Sequence, residues 1–204
     1  MIPSADALER LRAGNARFVA ETRRSHAHIG ETRRIQVAGG QEPFAIILGC
    51  SDSRVPAELI FDQGLGDLFV IRVAGNIVAA SQIGSIEFAA AQFNTRLVVV
   101  VGHSQCGAIK ATVDELQLES ANQSQNLQFI VDRIRPAVEP LLATDLRNDR
   151  DALLREAGRE NVRASVSQLR HGSALLEKLI ATNGLAVVGA EYSLETGVVE
   201  FFDE

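Results

Sequence analysis

The chain has 204 residues, 46% of them hydrophobic and 23% charged, with a net charge of −6; that fills one domain well and is short for two. No basic run is long enough to track a phosphate backbone, which argues against nucleic acid as a partner. No window approaches the roughly 18 to 20 unbroken apolar residues of a bilayer span, and the opening MIPSADALERLRAGNARF is charged every few residues with no apolar signal core, so a cytoplasmic location away from membranes is expected.

Residues 4–20 are predicted as an amphipathic helix, with Ser4 able to cap it and Leu8, Leu11, Phe18 and Val19 near one face. Residues 21–40 are polar, contain Gly30, Gly39 and Gly40, and read as a helix end followed by loop or irregular helix. A repeated grammar follows. The runs Phe44–Leu48, Leu68–Ile71, Leu97–Val101 and Leu185–Val188 are continuously apolar and each closes on glycine or on Arg72-Val-Ala-Gly75. Uninterrupted Val/Ile/Leu runs are the mark of strands buried on both faces, as in a parallel sheet covered by helices. Helical patterns lie between them, at Ile77–Phe93, at Ala108–Leu118 and over about 124–183, where Pro136 and Pro140 are expected to break or kink the helix. The stretch 117–127 is rich in Gln, Ser and Asn and reads as a surface loop. Tyr192–Gly197 reads as a turn leading into an edge strand at Val198–Phe202. The expected fold is α/β: a mostly parallel sheet of four parallel strands plus an edge strand, flanked by helices. It forms one domain over 1–204, with an N-terminal helical arm over 1–40 and an α/β core over 41–204.

Open α/β sheets bind ligands outside the carboxyl ends of their strands. The first strand ends in Gly49-Cys-Ser-Asp-Ser-Arg54 and the third in Gly102-His-Ser-Gln-Cys-Gly107. Cys50 and Cys106, the two cysteines of the chain, thus fall at strand ends with His103 between them in sequence. Two buried small hydrophobes are the plain alternative. Zinc is held by thiolate and imidazole in a tetrahedron, and three protein ligands with one open position make a catalytic site, four a closed structural one. Asp52 and Arg54, two residues apart, can point the same way, and a carboxylate beside a guanidinium stays ionised. A surface ion pair is the ordinary reading of such a spacing; two residues from a metal ligand it becomes a candidate catalytic pair.

Cys50-Ser-Asp-Ser-Arg-Val-Pro56 and Gly102-His-Ser-Gln-Cys-Gly-Ala108 resemble the two signature segments of β-class carbonic anhydrases. Leu11–Phe18, Gly64–Asn76, Gly84–Phe88 and Val188–Gly197 are similar to further segments of that family, in its order. The resemblance implies reversible hydration of CO2 to bicarbonate and a proton, by a zinc-bound hydroxide oriented by an Asp-Arg dyad. It implies one Zn2+ per chain on Cys50, His103 and Cys106, with Asp52 and Arg54 as the dyad and Asp52 as a fourth ligand in a closed state. Gln41 matches a position that hydrogen-bonds substrate or bicarbonate, Phe69 and Phe88 match positions lining the apolar pocket, and Val73 and Gly107 are neighbours of that pocket. A homodimer or an assembly of dimers is implied, with a tetramer expected, the N-terminal helix often embracing the partner subunit. Some members carry a second bicarbonate site built from Trp, Arg and Tyr. This chain has Arg72 and Tyr192 but Ile47 at the Trp position and no Trp anywhere, so that site is not expected. His26, His28 and His171 match no motif. Two thiolates make a bound water less acidic than three imidazoles would, so activity is expected to rise toward alkaline pH. The same scaffold acting on CS2 or COS, and a regulatory module with a structural zinc, are the rival readings.

Overall fold

The computed structural model describes residues 2–22, 30–118 and 124–202; His26, His28 and the middle of the 117–127 stretch lie outside them. Helix α1 (Ser4–Val19) and a short α2 (Glu31–Val37) precede strand β1 (Ala45–Gly49). Then come α3 (Ala57–Ile60), β2 (Leu68–Arg72), a 3-10 turn at Ala74–Asn76, α4 (Ala80–Gln92), β3 (Leu97–His103) and α5 (Gly107–Leu118). The chain closes with α6 (Gln125–Leu142), a 3-10 turn at Asp145–Asn148, α7 (Arg150–His171), α8 (Ala174–Asn183), β4 (Ala186–Tyr192) and β5 (Val199–Phe202).

The strands form one five-stranded sheet in the order β2-β1-β3-β4-β5. The first three pairings are parallel and β5 runs antiparallel on the edge. The continuous apolar runs have a direct cause, because each strand feeds two cores. Alternate side chains point to opposite faces. Ala45, Ile47, Leu97, Val99, Val101, Val188 and Ala190 pack on one face with Leu8 and Leu11 of α1, Ile60 of α3, Ile109 and Val113 of α5, and Ile134 and Val138 of α6. Ile46, Leu48, Val98, Val100 and Val187 pack on the other with Ile86 and Ala89 of α4, Val162, Val166 and Leu169 of α7, and Leu176 of α8. With polar residues on neither face, alternation vanishes from the sequence.

Local expectations needed correction at two places. Ser4 makes no capping bond; Pro3 occupies the N-cap, and Val19 is exposed at the far end of α1. The prolines do not break the long helical region. α6 runs through Pro136 and Pro140, because burial of Val131, Ile134, Ala137 and Val138 outweighs the backbone bonds the prolines cannot donate. The region divides instead where polar side chains accept from backbone N–H groups, Thr144 from Leu146, Asp149 from Ala152, and Ser173 from Leu176. Within the chain, α1 packs against the core. Asn15, buried in the middle of it, donates to the carbonyls of Ile60 (3.1 Å) and Gly197 (2.8 Å) and accepts from the N–H of Val199 (2.9 Å).

Gly14 sets how closely α1 approaches. A Cβ there would stand 1.8 Å from the Phe61 carbonyl oxygen. Gly14→Ala is therefore expected to destabilise the protein by about 2 kcal/mol net, overpacking of up to ~3 kcal/mol being offset by ~1 kcal/mol of helix propensity. Thermal melting reads this as a fall of roughly 4–8 °C at this chain length; an unchanged melting temperature would mean that α1 is not seated on Phe61.

Candidate active site

β1 and β3 are neighbours, so their carboxyl ends deliver Cys50 and His103 side by side, and the turn opening α5 adds Cys106. All three are buried, with ligand atoms within 4.8 Å of one another, and the two sulfurs stand 4.0 Å apart. Two thiolates bonded to one zinc at ordinary distances and tetrahedral angle lie about 3.8 Å apart. The tautomer of His103 also fits. Its Nδ1 lies 2.9 Å from the Ser104 carbonyl oxygen. A carbonyl only accepts, so Nδ1 carries the proton and Nε2 presents a lone pair. That Nε2 is buried and, among the described residues, has no hydrogen-bond partner, an orphan that a metal ion would satisfy. The donor set suits zinc.

Backbone amides support both sulfurs. The Cys106 thiol beside it, acting against burial, brings the Cys50 thiol down to about 4, with N–H groups of Asp52 and Gly75 adding to the effect. Gly75 can aim its N–H there from a left-handed conformation, φ 69°. Cys106 is pushed the other way by its hydrogen bond to Cys50 and by burial, while the N–H groups of Ile109 and Ala108, at the start of α5, favour its thiolate. The hydrogen-bonded pair thus shares its first negative charge.

Asp52 lies just outside this cluster, its Oδ2 3.9 Å from His103 Nε2. Arg54 grips it bidentately: Nε donates to Oδ1 at 2.9 Å and Nη2 to Oδ2 at 2.8 Å, and the Arg54 backbone N–H adds a third bond to Oδ1 at 2.9 Å. The Arg54 hydrogen bond holds the Asp52 carboxyl far below the usual carboxylate range. Arg72, at the end of β2, donates from Nε to the Cys50 carbonyl (2.9 Å) and from Nη2 to the Asp52 carbonyl (2.5 Å). It clamps the turn that carries both residues. Beneath that turn Ile47, Val70, Arg72 and Val101 line a cavity of about 10 Å³, room for about one water.

A model of the family described as carbonic anhydrase matches residues 45–199. Carbonic anhydrase 2 of Mycobacterium tuberculosis is 40% identical over 189 residues, covering 92% of this chain and 87% of its own. The carbonic anhydrase of Mycolicibacterium smegmatis is 40% identical over 190 residues, covering 93% and 89%. The chain belongs to the β-class carbonic anhydrases. Among solved structures, the β-carbonic anhydrase CafA of Aspergillus fumigatus superposes with a TM-score of 0.76 at 27% identity, over 94% of this chain and 88% of that one. A structure from Sordaria macrospora, described as one of two tetrameric β-carbonic anhydrases, gives 0.74 at 26% identity over 83% and 85%. No helix among the described residues is long and apolar enough to cross a membrane.

Within one chain of this carbonic anhydrase, the structure unites Cys50, His103, Cys106, Asp52 and Arg54, with Gly107 next to Cys106 and Val73 bonded to Gly49 and Ser51. It does not bring Gln41, Phe69 or Phe88 to them. Gln41 is exposed and precedes β1, while Cys50 follows it; the strand alone separates its two ends by about 16 Å. Phe69 and Phe88 belong to the other face of the sheet, where their rings and that of Phe93 stack at 5.6–6.1 Å. The strand period sends Phe69 away from the face that Cys50 joins, so these residues do not meet the cluster within one chain. Sequence reasoning overlooked Arg72 as a clamp, and Glu195 altogether. Glu195 lies in the turn after β4 and accepts hydrogen bonds from Ser104 and Gln105, about ninety residues earlier. No local pattern marks such a contact.

Proposed function

We propose that this chain catalyses reversible hydration of CO2 to bicarbonate and a proton, with one Zn2+ held by Cys50, His103 and Cys106. The buried Cys–His–Cys cluster with its orphaned Nε2, beside an Arg-held aspartate, carries the reading. Bound zinc supplies a Lewis acid that makes water nucleophilic near neutral pH. The chain's own residues do the rest. Asp52 accepts a hydrogen bond from the attacking water and turns its lone pair toward the CO2 carbon. Arg54 keeps Asp52 ionised and, by engaging both its oxygens, keeps it off the metal, which favours an open site over the closed form. The Ser104 carbonyl fixes the His103 tautomer.

Gln41, Phe69 and Phe88 serve this site only from a second copy of the chain. The exposed Phe88 ring and the open outer edge of β2 support a homodimer, and the likeness to a structure described as tetrameric supports an assembly of dimers. In that assembly Gln41 donates to a substrate oxygen and the phenylalanines line the apolar side. Residues 1–204 act as one domain. Two reduced cysteines serving as ligands suit the cytoplasm.

Stopped-flow CO2 hydration at neutral and mildly alkaline pH, on protein of measured zinc content, tests the reading. The expected result is one zinc per chain and turnover that rises with pH. One zinc per chain without turnover at either pH would replace it with a structural site, and turnover of CS2 or COS in place of CO2 would reassign the substrate.

A further inference from the structure

The turn joining β4 to β5 reaches back to the loop that carries two of the metal ligands. The Ser104 hydroxyl donates to Glu195 Oε2 at 2.7 Å, and the Gln105 side-chain amide donates to Oε1. The Ser193 hydroxyl donates to Oε2 at 3.1 Å, and the Leu194 N–H donates to Ser104 Oγ at 2.9 Å. The turn itself does not need these bonds. It is closed by Ser193 N–H to the Val198 carbonyl, Gly197 N–H to the Ser193 carbonyl and Thr196 N–H to the Ser193 hydroxyl. The two bonds from Ser104 and Gln105 therefore act on the other partner.

That partner is under strain. Gln105 sits at φ 55°, in the left-handed region, a conformation that costs a non-glycine residue of order 1 kcal/mol and lasts only where its surroundings hold it. The residues on this strained link hand their backbone to the site. The Ser104 carbonyl accepts from His103 Nδ1 at 2.9 Å, and the Gln105 carbonyl accepts from Arg54 Nη2 at 3.5 Å. Cys106 follows directly. The Ser104 hydrogen bond, with help from Gln105 and Ser193, lowers the Glu195 carboxyl to about 2, so it is an acceptor through both oxygens at neutral pH.

We propose that Glu195 is a positioning residue: by gripping Ser104 and Gln105 it holds the His103–Cys106 loop in the conformation that presents both ligands to the metal and a carbonyl to Arg54. The proposal rests on the zinc reading given above, and it concerns a residue that touches neither metal nor substrate. The test compares the zinc-loaded wild type with Glu195→Ala and Glu195→Gln. Three quantities are read: the rate at which zinc passes to a chromogenic chelator, kcat and KM for CO2 hydration, and the melting temperature. Partners that orient metal ligands are worth about 10- to 100-fold in metal retention or activity, so Glu195→Ala is expected to release zinc about 10- to 100-fold faster and to lose kcat by a similar factor, with KM and melting temperature little changed. Glu195→Gln keeps one acceptor oxygen and turns a donor on the other partner, so it falls between the two. Zinc release and kcat within about twofold of wild type in Glu195→Ala would overturn the proposal, given the expected size of the effect. So would a loss of kcat that came with a lower melting temperature and unchanged zinc release. Should the wild type hold zinc and not hydrate CO2, the hydratase reading falls, while zinc release still decides the role of Glu195.

Discussion

Asp52→Asn is expected to lower CO2 turnover about 10²–10⁴-fold, the range for a positioned proton-accepting group, with zinc content unchanged. The side chains are isosteric, so the change is one of chemistry. Asp52 accepts from three donors of Arg54, two at Oδ1 and one at Oδ2. An amide has one acceptor oxygen, and its NH2 must face either Nη2 or the Nε and backbone N–H, donor against donor. The side chain shifts, and it no longer offers a negative lone pair to the attacking water. Cys50, His103 and Cys106, the proposed metal ligands, are untouched, so metal binding is expected to survive. Hydration rates and zinc content measured on the same sample decide the point. Unchanged turnover removes Asp52 from the chemistry, and loss of zinc along with turnover makes Asp52 a ligand of a closed site.

Cys106→Ser is expected to abolish stoichiometric zinc, with affinity falling by at least ~100-fold, the upper end of what loss of a mere supporting partner costs. A hard, neutral hydroxyl replaces a soft thiolate, and the remaining ligands, Cys50 and His103, make too few bonds to hold the ion. The fold is expected to persist. Ser is close to Cys in size, and the N–H groups of Ala108 and Ile109 that now point at Cys106 Sγ can donate to a hydroxyl oxygen. Zinc analysis after gel filtration, paired with a melting curve, checks both halves. Full zinc content in the variant would show that Cys106 is not a ligand.

Each of these two substitutions falls in a group of residues that stand close together in the sequence. Cys50, Asp52 and Arg54 lie within five consecutive positions and His103 and Cys106 within four, each group at the end of an apolar run. The backbone geometry of a strand end fixes how such close neighbours project, so local pattern determined the Asp–Arg pair and the spacing of His103 and Cys106, while the parallel pairing of β1 with β3 brought Cys50 to them. The same holds for the parallel sheet. Runs such as Leu97–Val101 are apolar throughout because both faces of β3 are buried, and that requirement is written into every residue of the strand.

Other features are products of distance along the chain, and only the tertiary structure decided them. Pro136 and Pro140 carry a local penalty, but the buried side of α6 that outweighs it exists only against the rest of the fold. Gln41, Phe69 and Phe88 follow the family's motif, yet strand direction puts Gln41 at the opposite end of β1 from Cys50, and strand alternation puts Phe69 on the opposite face of the sheet, where the Phe88 ring of α4 meets it. A one-dimensional match contains neither fact. Glu195 reads as an ordinary turn residue until β3 and β4 pair in parallel, register His103 against Tyr192, and bring the two loops that follow into contact. What the sequence by itself determined was therefore the chemistry that needs near neighbours and the layers that need burial. What the tertiary structure decided was which distant groups hold that chemistry in place, because those contacts depend on register and direction and leave no periodic trace in the chain.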